Sequence, residues 1–471
     1  MEIFFESLGC DKNLVDSEMM VAALQKAGHQ LTDDLLSAEV IVVNTCCFIG
    51  DAKEESINAL LSMAEYKETA KCRLLVAAGC LAQRYHKEIR TEIPEVDVVV
   101  GTTGYEKLAA AIEKGLAQKD VSGMEGTGSV QGTAEYLKDV DYLPEPLTER
   151  NSLTGGYYAY LKIAEGCDKH CSYCVIPRVR GKYRSVPMEN LEAQAAHLVQ
   201  NGAKELILIA QETTLYGVDL YGQKSLPKLL EKLSAIEGLQ WLRILYCYPE
   251  EITEELIDAV KRLPKVCRYL DIPIQHSSDR ILQRMGRRTR REEIASIIQR
   301  LRSEIPGIAL RTTLITGFPG ETEEDFEDLK EFVREQRFER LGVFTYSQEE
   351  DTPAADFEGQ VDEEVKAARR DEIMELQQEI AFEKCQEQIG RILSVMVEGR
   401  LPEENLPEGE IYIARTYMDA PEVDGYVFVR SRWNLMSGDF ITVKVVGADG
   451  YDLIGEISDG EEEQLCAEME R

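Results

Sequence analysis

The sequence predicts an α/β protein in three parts: an N-terminal parallel sheet with helices, a central (β/α)6 partial barrel, and a small C-terminal all-β barrel. Two observations carry this expectation. Apolar runs rich in β-branched residues alternate with amphipathic stretches through most of the chain, as in parallel α/β sheets. Beyond about residue 390 the pattern changes to short strands separated by Gly, Pro and Asp, which is typical of a small OB-like barrel.

We expect five segments along the 471 residues. Residues 1–118 contain strands such as "AEVIVVNT" and "RLLVAAG" and form the N-terminal domain, whereas residues 119–150 have no period and form a linker. Six candidate strands in residues 151–360 predict a partial barrel, in which reactive groups gather at the carboxyl ends of the strands. Residues 361–390 predict one long connecting helix, and residues 391–471 a five-stranded barrel.

Composition excludes several classes of protein. The net charge of −33 comes from 86 acidic and 53 basic residues, so the overall field repels nucleic-acid phosphates and attracts basic partners. The N-terminus has no basic segment before its apolar run, and no apolar run approaches the ~18 residues that span a bilayer. We therefore expect a cytoplasmic protein without a membrane partner, whose 12 cysteines are metal ligands or small buried hydrophobes rather than disulfides.

Three cysteines lie close together in "GCDKHCSYC", directly after the first candidate strand of the central barrel. Cys167, Cys171 and Cys174 would leave one coordination position of an iron–sulfur cluster open, which suggests chemistry rather than a structural role. A structural zinc site with three cysteines and His170 is the alternative that spacing alone allows.

Three further cysteines each follow a predicted parallel strand of the N-terminal domain: Cys10 in "ESLGC", Cys46 in "VVNTC" and Cys80 in "VAAGC". Neighbouring strand ends in one sheet lie roughly 5–10 Å apart, so these thiols can converge on one metal site. Burial of three unrelated cysteines is the alternative. Cys47, next in the chain to Cys46, should point to the other face as a small hydrophobe.

The Cys-x3-Cys-x2-Cys spacing, with Tyr173 before the last cysteine, resembles the radical S-adenosylmethionine (SAM) superfamily. The resemblance implies that Cys167, Cys171 and Cys174 are catalytic and hold a 4Fe-4S cluster whose fourth iron binds SAM and whose electron cleaves it to a radical. His170 then has no ligand role. The resemblance also implies candidate cofactor contacts at Tyr173, Gln211, Glu212, Gly317, Gly320 and Glu321. The last five could instead belong to strand ends followed by a turn and a helix N-cap.

Two three-cysteine clusters, a radical SAM barrel and a C-terminal β-barrel (TRAM-like) together resemble the methylthiotransferases over nearly the whole chain. The stretch "SLGCDKNLVDSE" looks like the RimO branch, which modifies a ribosomal protein, whereas the tRNA-modifying MiaB branch reads closer to "GCQMN". The likeness implies that Cys10, Cys46 and Cys80 hold a second 4Fe-4S cluster. The doubled cysteine of "NTCCFIG" departs from the family, and its place in the motif favours Cys46 over Cys47 as the ligand.

The implied reaction adds a methylthio group to the β-carbon of an aspartate in the twelfth small-subunit ribosomal protein, with SAM as radical source and methyl donor. An electron donor such as flavodoxin or ferredoxin is implied as well. Residues 396–471 contain 18 acidic and 6 basic residues, which favours a basic ribosomal protein over RNA, so no direct nucleic-acid binding is expected. The alternatives are a tRNA adenosine methylthiotransferase, a non-enzymatic iron–sulfur or zinc scaffold, and an acidic surface that is only solvated.

Overall fold

The structure, a computed structural model, describes residues 1–125, 134–144, 149–150, 152–402 and 409–462. Its main elements are two parallel six-stranded sheets and a closed five-stranded barrel, which confirms the predicted fold class. Among the described residues, no helix combines the length and the hydropathy that crossing a bilayer requires.

The N-terminal sheet is parallel throughout and has the strand order β2-β1-β3-β4-β5-β6. Its strands are β1 (Glu2–Ser7), β2 (Gln30–Leu31), β3 (Val40–Thr45), β4 (Leu74–Ala78), β5 (Val98–Val100) and β6 (Ala134–Tyr136). The helices are α1 (Asp11–Lys26), α2 (Gly50–Ala64), α3 (Tyr66–Thr69), α4 (Gly79–Arg84), α5 (His86–Glu92) and α6 (Leu108–Glu125), with a 3-10 turn at Tyr105–Lys107. Every residue of β3 and β4 is buried, because helices cover both faces of a parallel sheet.

The stretch 119–150, which was expected to be a linker, contains two regular elements. Helix α6 continues to Glu125, and β6 pairs in parallel with β5, where Ala134 lies opposite Val98. A three-residue edge strand is too short to show a period in the sequence, so only its pairing reveals it. Residues 126–133 and 145–148 of this stretch lie outside the described residues.

The central sheet is open and has the order β14-β13-β12-β11-β10-β7, with all neighbours parallel. Its strands are β7 (Tyr158–Lys162), β10 (Glu205–Ile209), β11 (Trp241–Ile244), β12 (Val266–Asp271), β13 (Ala309–Thr316) and β14 (Arg340–Thr345), and a small ribbon joins β8 (Ala164–Glu165) to β9 (Arg184–Ser185). The helices are α7 (Ile176–Arg180), α8 (Met188–Gln200), α9 (Val218–Tyr221), α10 (Leu226–Ser234), α11 (Glu254–Arg262), α12 (Asp279–Arg284), α13 (Arg291–Glu304) and α14 (Glu323–Gln336), with 3-10 turns at Pro249–Glu251 and Pro353–Asp356. The six strands therefore form a partial barrel.

Helix α15 (Glu363–Gln386) leads into the C-terminal barrel. The barrel closes in the order β15-β16-β17-β19-β18 from β15 (Ile392–Arg400), β16 (Glu410–Thr416), β17 (Val427–Ser431), β18 (Phe440–Asp449) and β19 (Asp452–Ile457). Three fully buried charged side chains join this barrel to the central sheet. Glu205, the first residue of β10, accepts hydrogen bonds from Arg243 and Arg415, both at 2.7 Å. Residues 403–408 and 463–471, which belong to the acidic segment 396–471, lie outside the described residues.

Candidate metal centres and active site

Cys10, Cys46 and Cys80, which we call the N-terminal triad, follow three neighbouring strands of one sheet. Strands β1, β3 and β4 are paired in parallel up to their last residues, so the loops that carry the cysteines leave the sheet at the same edge. Cys46 and Cys80 are buried and Cys10 is exposed. Burial raises the pKa of Cys80, Arg180 opposes this, and Cys47, Cys46 and Cys10 raise the pKa further. The structure therefore brings the three predicted thiols within electrostatic reach of one another.

The loop before Cys10 is folded against Cys46. Gly9 has a φ of +91°, and a Cβ at this position would lie 2.6 Å from Cys46 Cβ and 3.0 Å from Cys46 Sγ. Asn13 fixes the same loop, because its Nδ2 donates to the carbonyl oxygens of Leu8 at 2.9 Å and Thr45 at 3.0 Å. Only glycine allows this approach. The loop thus forms a cradle around the thiols, and this arrangement fits a cluster held by Cys10, Cys46 and Cys80.

Cys47 has different surroundings from Cys46. Its side chain is 1% exposed and belongs to the same apolar cluster as Leu81, Val175 and Val179. Burial raises the pKa of the Cys47 thiol to about 12, although Arg84 lowers it. Cys80, a predicted ligand, belongs to the same apolar cluster, and the choice of Cys46 over Cys47 as the ligand stays a prediction.

Cys167, Cys171 and Cys174, the barrel triad, lie in the loop between β8 and α7. Backbone hydrogen bonds fix this loop: Cys167 N–H donates to the carbonyl of Gly181 at 3.1 Å, and Cys174 N–H donates to that of Cys171 at 3.1 Å. Burial raises the pKa of Cys167 to about 12. A metal deprotonates a thiol that it binds, so buried thiols of this kind suit a metal cluster better than free thiolate chemistry.

A zinc site with His170 is not supported by the structure. His170 is exposed, unlike Cys167 and Cys171, which are buried beside it. Among the described residues, no group of three His, Cys, Asp or Glu side chains surrounds a position for a single metal ion. A polynuclear cluster differs in that each thiolate binds a different iron, so the thiols need not converge on one point.

Two adjacent side chains at the end of β10 have buried acceptors without a hydrogen-bond partner. Gln211 Nε2 donates to Glu165 at 2.9 Å, but Gln211 Oε1 has no partner. Glu212 is fully buried, and its Oε1 accepts from Thr214 N–H at 2.8 Å while Oε2 has no partner. Burial raises the pKa of Glu212 to about 7 against the lowering influence of Thr214 and Lys169. Unpaired buried acceptors are costly, and two together fit the ammonium group of a ligand such as SAM.

Arg287 is a functional candidate that the sequence did not reveal. It is buried, its guanidinium lies 4.2 Å from the centroid of the Tyr248 ring, and Nη2 donates to Pro273 O at 2.8 Å. Its Nε and Nη1 have no hydrogen-bond partner. Tyr248 OH lies 3.7 Å from Cys171 Sγ, which places the arginine beside the barrel triad. The run "RMGRRTRR" was the available signal, yet nothing in it shows which arginine points inward.

Tyr173, in the loop that carries the barrel triad, contacts the loop after β13. Its ring meets Phe318 edge-on, with centroids 6.4 Å apart, so the predicted segment 317–321 is brought next to the triad. Gly317 has a φ of +71°, and a Cβ there would lie 2.1 Å from Lys366 Cγ. The glycine is therefore required by the turn itself.

Gly320 and Glu321 complete this turn through contacts within the protein. Gly320 has a φ of +83°, and its N–H donates to Gly359 O at 2.7 Å. The Glu321 carboxylate pairs with Arg369 at 2.7 Å and accepts from Gly317 N–H at 2.9 Å. Thr322 follows as the N-cap of α14. These contacts match the turn and N-cap alternative, and contact of these residues with a cofactor stays a prediction.

Comparisons with known proteins agree across the chain. Family models described as "Uncharacterized protein family UPF0004", "Radical SAM superfamily" and "TRAM domain" match residues 2–101, 161–333 and 389–457. A ribosomal protein uS12 methylthiotransferase RimO from Lachnoclostridium phytofermentans is 61% identical over 97% of this chain and 99% of its own. Another, from Acetivibrio thermocellus, is 51% identical over 96% of this chain and 97% of its own.

Among solved structures, the radical S-adenosylmethionine methyltransferase TsrM from Kitasatospora setae, with cobalamin and a [4Fe-4S] cluster bound, shares the fold. The TM-score is 0.53 at 16% identity, and the alignment covers 75% of this chain and 73% of that one. At this identity the likeness concerns the fold alone.

Proposed function

The chain belongs to the RimO family of radical SAM ribosomal protein uS12 methylthiotransferases, and from this membership we propose that it methylthiolates the β-carbon of an aspartate in uS12. Its activity is that of a uS12 methylthiotransferase that uses two 4Fe-4S clusters and SAM. The observation that carries the proposal is 61% identity over 97% of the chain to such an enzyme.

In this proposal each triad holds one of the two clusters. Cys167, Cys171 and Cys174 would hold the cluster that works with SAM, and the N-terminal triad would hold the second cluster. When bound, these groups supply the one-electron chemistry that breaks an unactivated C–H bond, together with the sulfur and the methyl group. No side chain of ordinary pKa can remove such a hydrogen as a proton, so the protein must position the reactants rather than act as a general base.

Gln211, Glu212 and Arg287 would bind the amino acid end of SAM. The unpaired Oε1 of Gln211 and Oε2 of Glu212 can accept hydrogen bonds from an ammonium group, and the free Nε and Nη1 of Arg287 can donate to a carboxylate. Because the pKa of Glu212 is raised to about 7 by burial, this carboxyl group loses its proton readily when a cation arrives. The three side chains would thereby orient SAM at the barrel triad.

The N-terminal domain contacts the central barrel at the residues that follow Cys10. Tyr246, two residues beyond β11, donates its hydroxyl to Asp11 Oδ1 at 3.1 Å, and Lys12 Nζ lies 3.2 Å from the centroid of the same ring. Tyr246 holds a φ of +60°, which is uncommon for a residue other than glycine and accompanies functional sites. These contacts would hold Cys10 against the barrel, so that both triads serve one substrate.

Charge supports the choice of protein partners. Residues 396–471 have an excess of 12 acidic residues, which suits a basic ribosomal protein and disfavours direct binding of nucleic acid. A ribosomal protein substrate would also place the enzyme in the cytoplasm. In contrast, residues 284–291 contain five arginines and no acid, and the carbonyl of Met285 accepts from Ser172 N–H of the barrel-triad loop at 2.9 Å. Arg288 and Arg290, the exposed arginines of this run, would receive an acidic electron donor such as flavodoxin or ferredoxin.

The test is to offer purified uS12 and tRNA to the anaerobically reconstituted enzyme and to follow methylthiolation by mass spectrometry. We expect modification of uS12 alone. Added salt should raise the KM for uS12 without changing the rate of SAM cleavage, because exposed charges are screened beyond about 8 Å at physiological ionic strength. Methylthiolation of tRNA without modification of uS12 would contradict the proposal.

A further inference from the structure

A buried charge cluster joins the N-terminal triad to the barrel. Arg180, the last residue of α7, is 2% exposed. Its Nη2 donates to Cys80 Sγ at 3.3 Å and to Asn13 Oδ1 at 2.5 Å. Its Nη1 donates to Asp16 at 2.7 Å and to Glu165 at 3.0 Å. One guanidinium therefore contacts a predicted cluster ligand on one side and two carboxylates on the other.

The charges in this cluster balance without Cys80. Lys162 pairs with Asp16 and, at 2.7 Å, with Glu165, so two cations meet two carboxylates in a buried space. Buried charges are tolerated when they are paired in this way. If Cys80 binds a metal, its sulfur becomes a thiolate and adds a negative charge. The N–H group that Arg180 directs at this sulfur is then a charge-assisted hydrogen bond.

The neighbouring residue links the same segment to the other triad. Gly181 accepts a hydrogen bond from Cys167 N–H at 3.1 Å, and its φ is +72°. A Cβ at Gly181 would lie 2.5 Å from Val140 O, so only glycine fits this close approach at a positive φ. Two consecutive residues, Arg180 and Gly181, thus contact one cysteine of each triad. A displacement of Arg180 would change the position of both.

We propose that Arg180 is a positioning residue of the N-terminal cluster, which fixes the Cys80 sulfur against the barrel and stabilises the added electron when the cluster is reduced. The inference rests on the proposed function, in which Cys80 is a ligand. Hydrogen bonds and positive charge at a ligand sulfur raise the reduction potential of an iron–sulfur cluster. Loss of such a partner typically weakens metal binding by roughly 10–100-fold.

The experiment uses the full chain with Cys167→Ala, Cys171→Ala and Cys174→Ala, so that iron binds at the N-terminal triad alone. Arg180→Met and Arg180→Lys are introduced into this parent, and iron content and midpoint potential are measured after anaerobic reconstitution. We expect the methionine variant to bind iron roughly 10–100-fold more weakly and to shift the potential of the remaining cluster to more negative values. The lysine variant retains the positive charge and should keep a potential near that of the parent.

Arg243→Met is the matched control, because Arg243 is also a fully buried arginine in an ion pair, with Glu205 at 2.7 Å, but contacts neither triad. It should lower the thermal stability while leaving iron content and potential unchanged. Equal loss of iron in the Arg180→Met and Arg243→Met variants would overturn the inference, as would an unchanged potential in Arg180→Met. A parent that binds no iron at all would overturn the proposed role of Cys10, Cys46 and Cys80 and the inference with it.

Discussion

The two cysteine triads are assembled by different routes through the chain. The barrel triad comes from a single loop, residues 167–174, whose shape is fixed by local backbone hydrogen bonds. The N-terminal triad comes from three loops more than thirty residues apart, which meet because β1, β3 and β4 are parallel neighbours. The first site therefore depends on one loop, whereas the second depends on the register of a whole sheet.

The polar groups around the triads differ in the same way. Beside the barrel triad, Gln211, Glu212 and Arg287 retain buried atoms without hydrogen-bond partners, as a site for a small molecule requires. Beside the N-terminal triad, Arg180 and Glu165 are paired within the buried charge cluster. Asn44 Oδ1, beside Gly79 at the N-terminal triad, also has no hydrogen-bond partner, so the contrast lies in the charged side chains: paired at Arg180 and Glu165, and partly unpaired at Glu212 and Arg287.

Replacing single cysteines should separate the triads most sharply. Cys167→Ala should abolish SAM cleavage, because a cluster with only two thiolates is not retained. Cys46→Ala should preserve SAM cleavage and abolish methylthiolation of uS12. Release of 5′-deoxyadenosine and mass spectrometry of uS12 measure the two activities. Cys47→Ala is the control, and normal methylthiolation by Cys46→Ala together with its loss in Cys47→Ala would reverse our choice of ligand.

How far the sequence predicts each site follows from this contrast. Cys167, Cys171 and Cys174 are close in the chain, so their spacing indicated a metal site, and the resemblance to the radical SAM superfamily then favoured an iron–sulfur cluster over zinc. Cys10, Cys46 and Cys80 were found because each follows a predicted strand, and the parallel sheet required for their convergence is present. The pattern of apolar runs likewise predicted both sheets and the five-stranded barrel.

The remaining parts of the site depend on long-range contacts that have no local signature. Arg287 is one of five arginines in eight residues, and only the packing of Tyr248 selects it. Arg180 contacts residues more than 100 positions away in α1, at Asn13 and Asp16. Glu321 was predicted as a cofactor contact, yet its pairing with Arg369 could be seen only in the folded chain.

The cradle at Gly9 offers a second way to separate the triads. Gly9→Ala places a Cβ 2.6 Å from Cys46 Cβ at a φ of +91°. It should therefore cost about 1–2 kcal/mol for the left-handed backbone and a further ~1–3 kcal/mol for overpacking. We expect the loss of the N-terminal cluster, measured as about half of the bound iron, while SAM cleavage continues.

Gly28→Ala is the matched control for this prediction. Gly28 lies in the same domain with a φ of +86°, but a Cβ there meets no atom within 4 Å. Gly28→Ala should therefore lower stability only through the left-handed backbone, and both clusters should remain bound. If the two alanine variants keep the same iron content, the loop before Cys10 is not a cradle for the cluster.

Glu212 allows the barrel site to be tested through pH. Its pKa is raised from 4.5 to about 7 by burial, so the folded protein keeps a proton between these values that the unfolded chain has lost. The stability that the neutral carboxyl contributes is present below about pH 4.5 and is lost as the pH rises through about 7. The change is on the order of 3 kcal/mol. Glu212→Gln should flatten the fall in urea midpoint of the metal-free protein between pH 5 and 8.

Glu165 provides the opposite case for comparison. Burial would raise its pKa, but Arg180 and Lys162 outweigh burial and lower the pKa below its ordinary value of 4.5. Its stabilising contribution is present above that value and is lost only as the pH falls below it. Glu165→Gln should therefore lower stability without changing the slope between pH 5 and 8. Equal slopes in the wild type and in Glu212→Gln would show that burial of Glu212 does not control this dependence.

The smallest expected effect concerns the surface outside the barrel triad. Arg288 is exposed in the arginine run, and no ion pair with an acidic residue is found for it among the described residues. Arg288→Glu should slow SAM cleavage driven by flavodoxin several-fold at low salt, because like charges reduce the rate of association. Cleavage driven by dithionite should be unchanged, since a small chemical reductant does not need the protein surface.

Arg430→Glu, an exposed arginine on the C-terminal barrel, controls for the change of net charge alone. It should leave SAM cleavage unaffected with either reductant. The effect of Arg288→Glu should also vanish as salt is raised, because an exposed charge acts at a distance only when it is not screened. Equal slowing by both variants would assign the effect to the total charge of the protein. Slowing with dithionite as well would show that Arg288 supports the barrel triad itself and that the donor binds elsewhere.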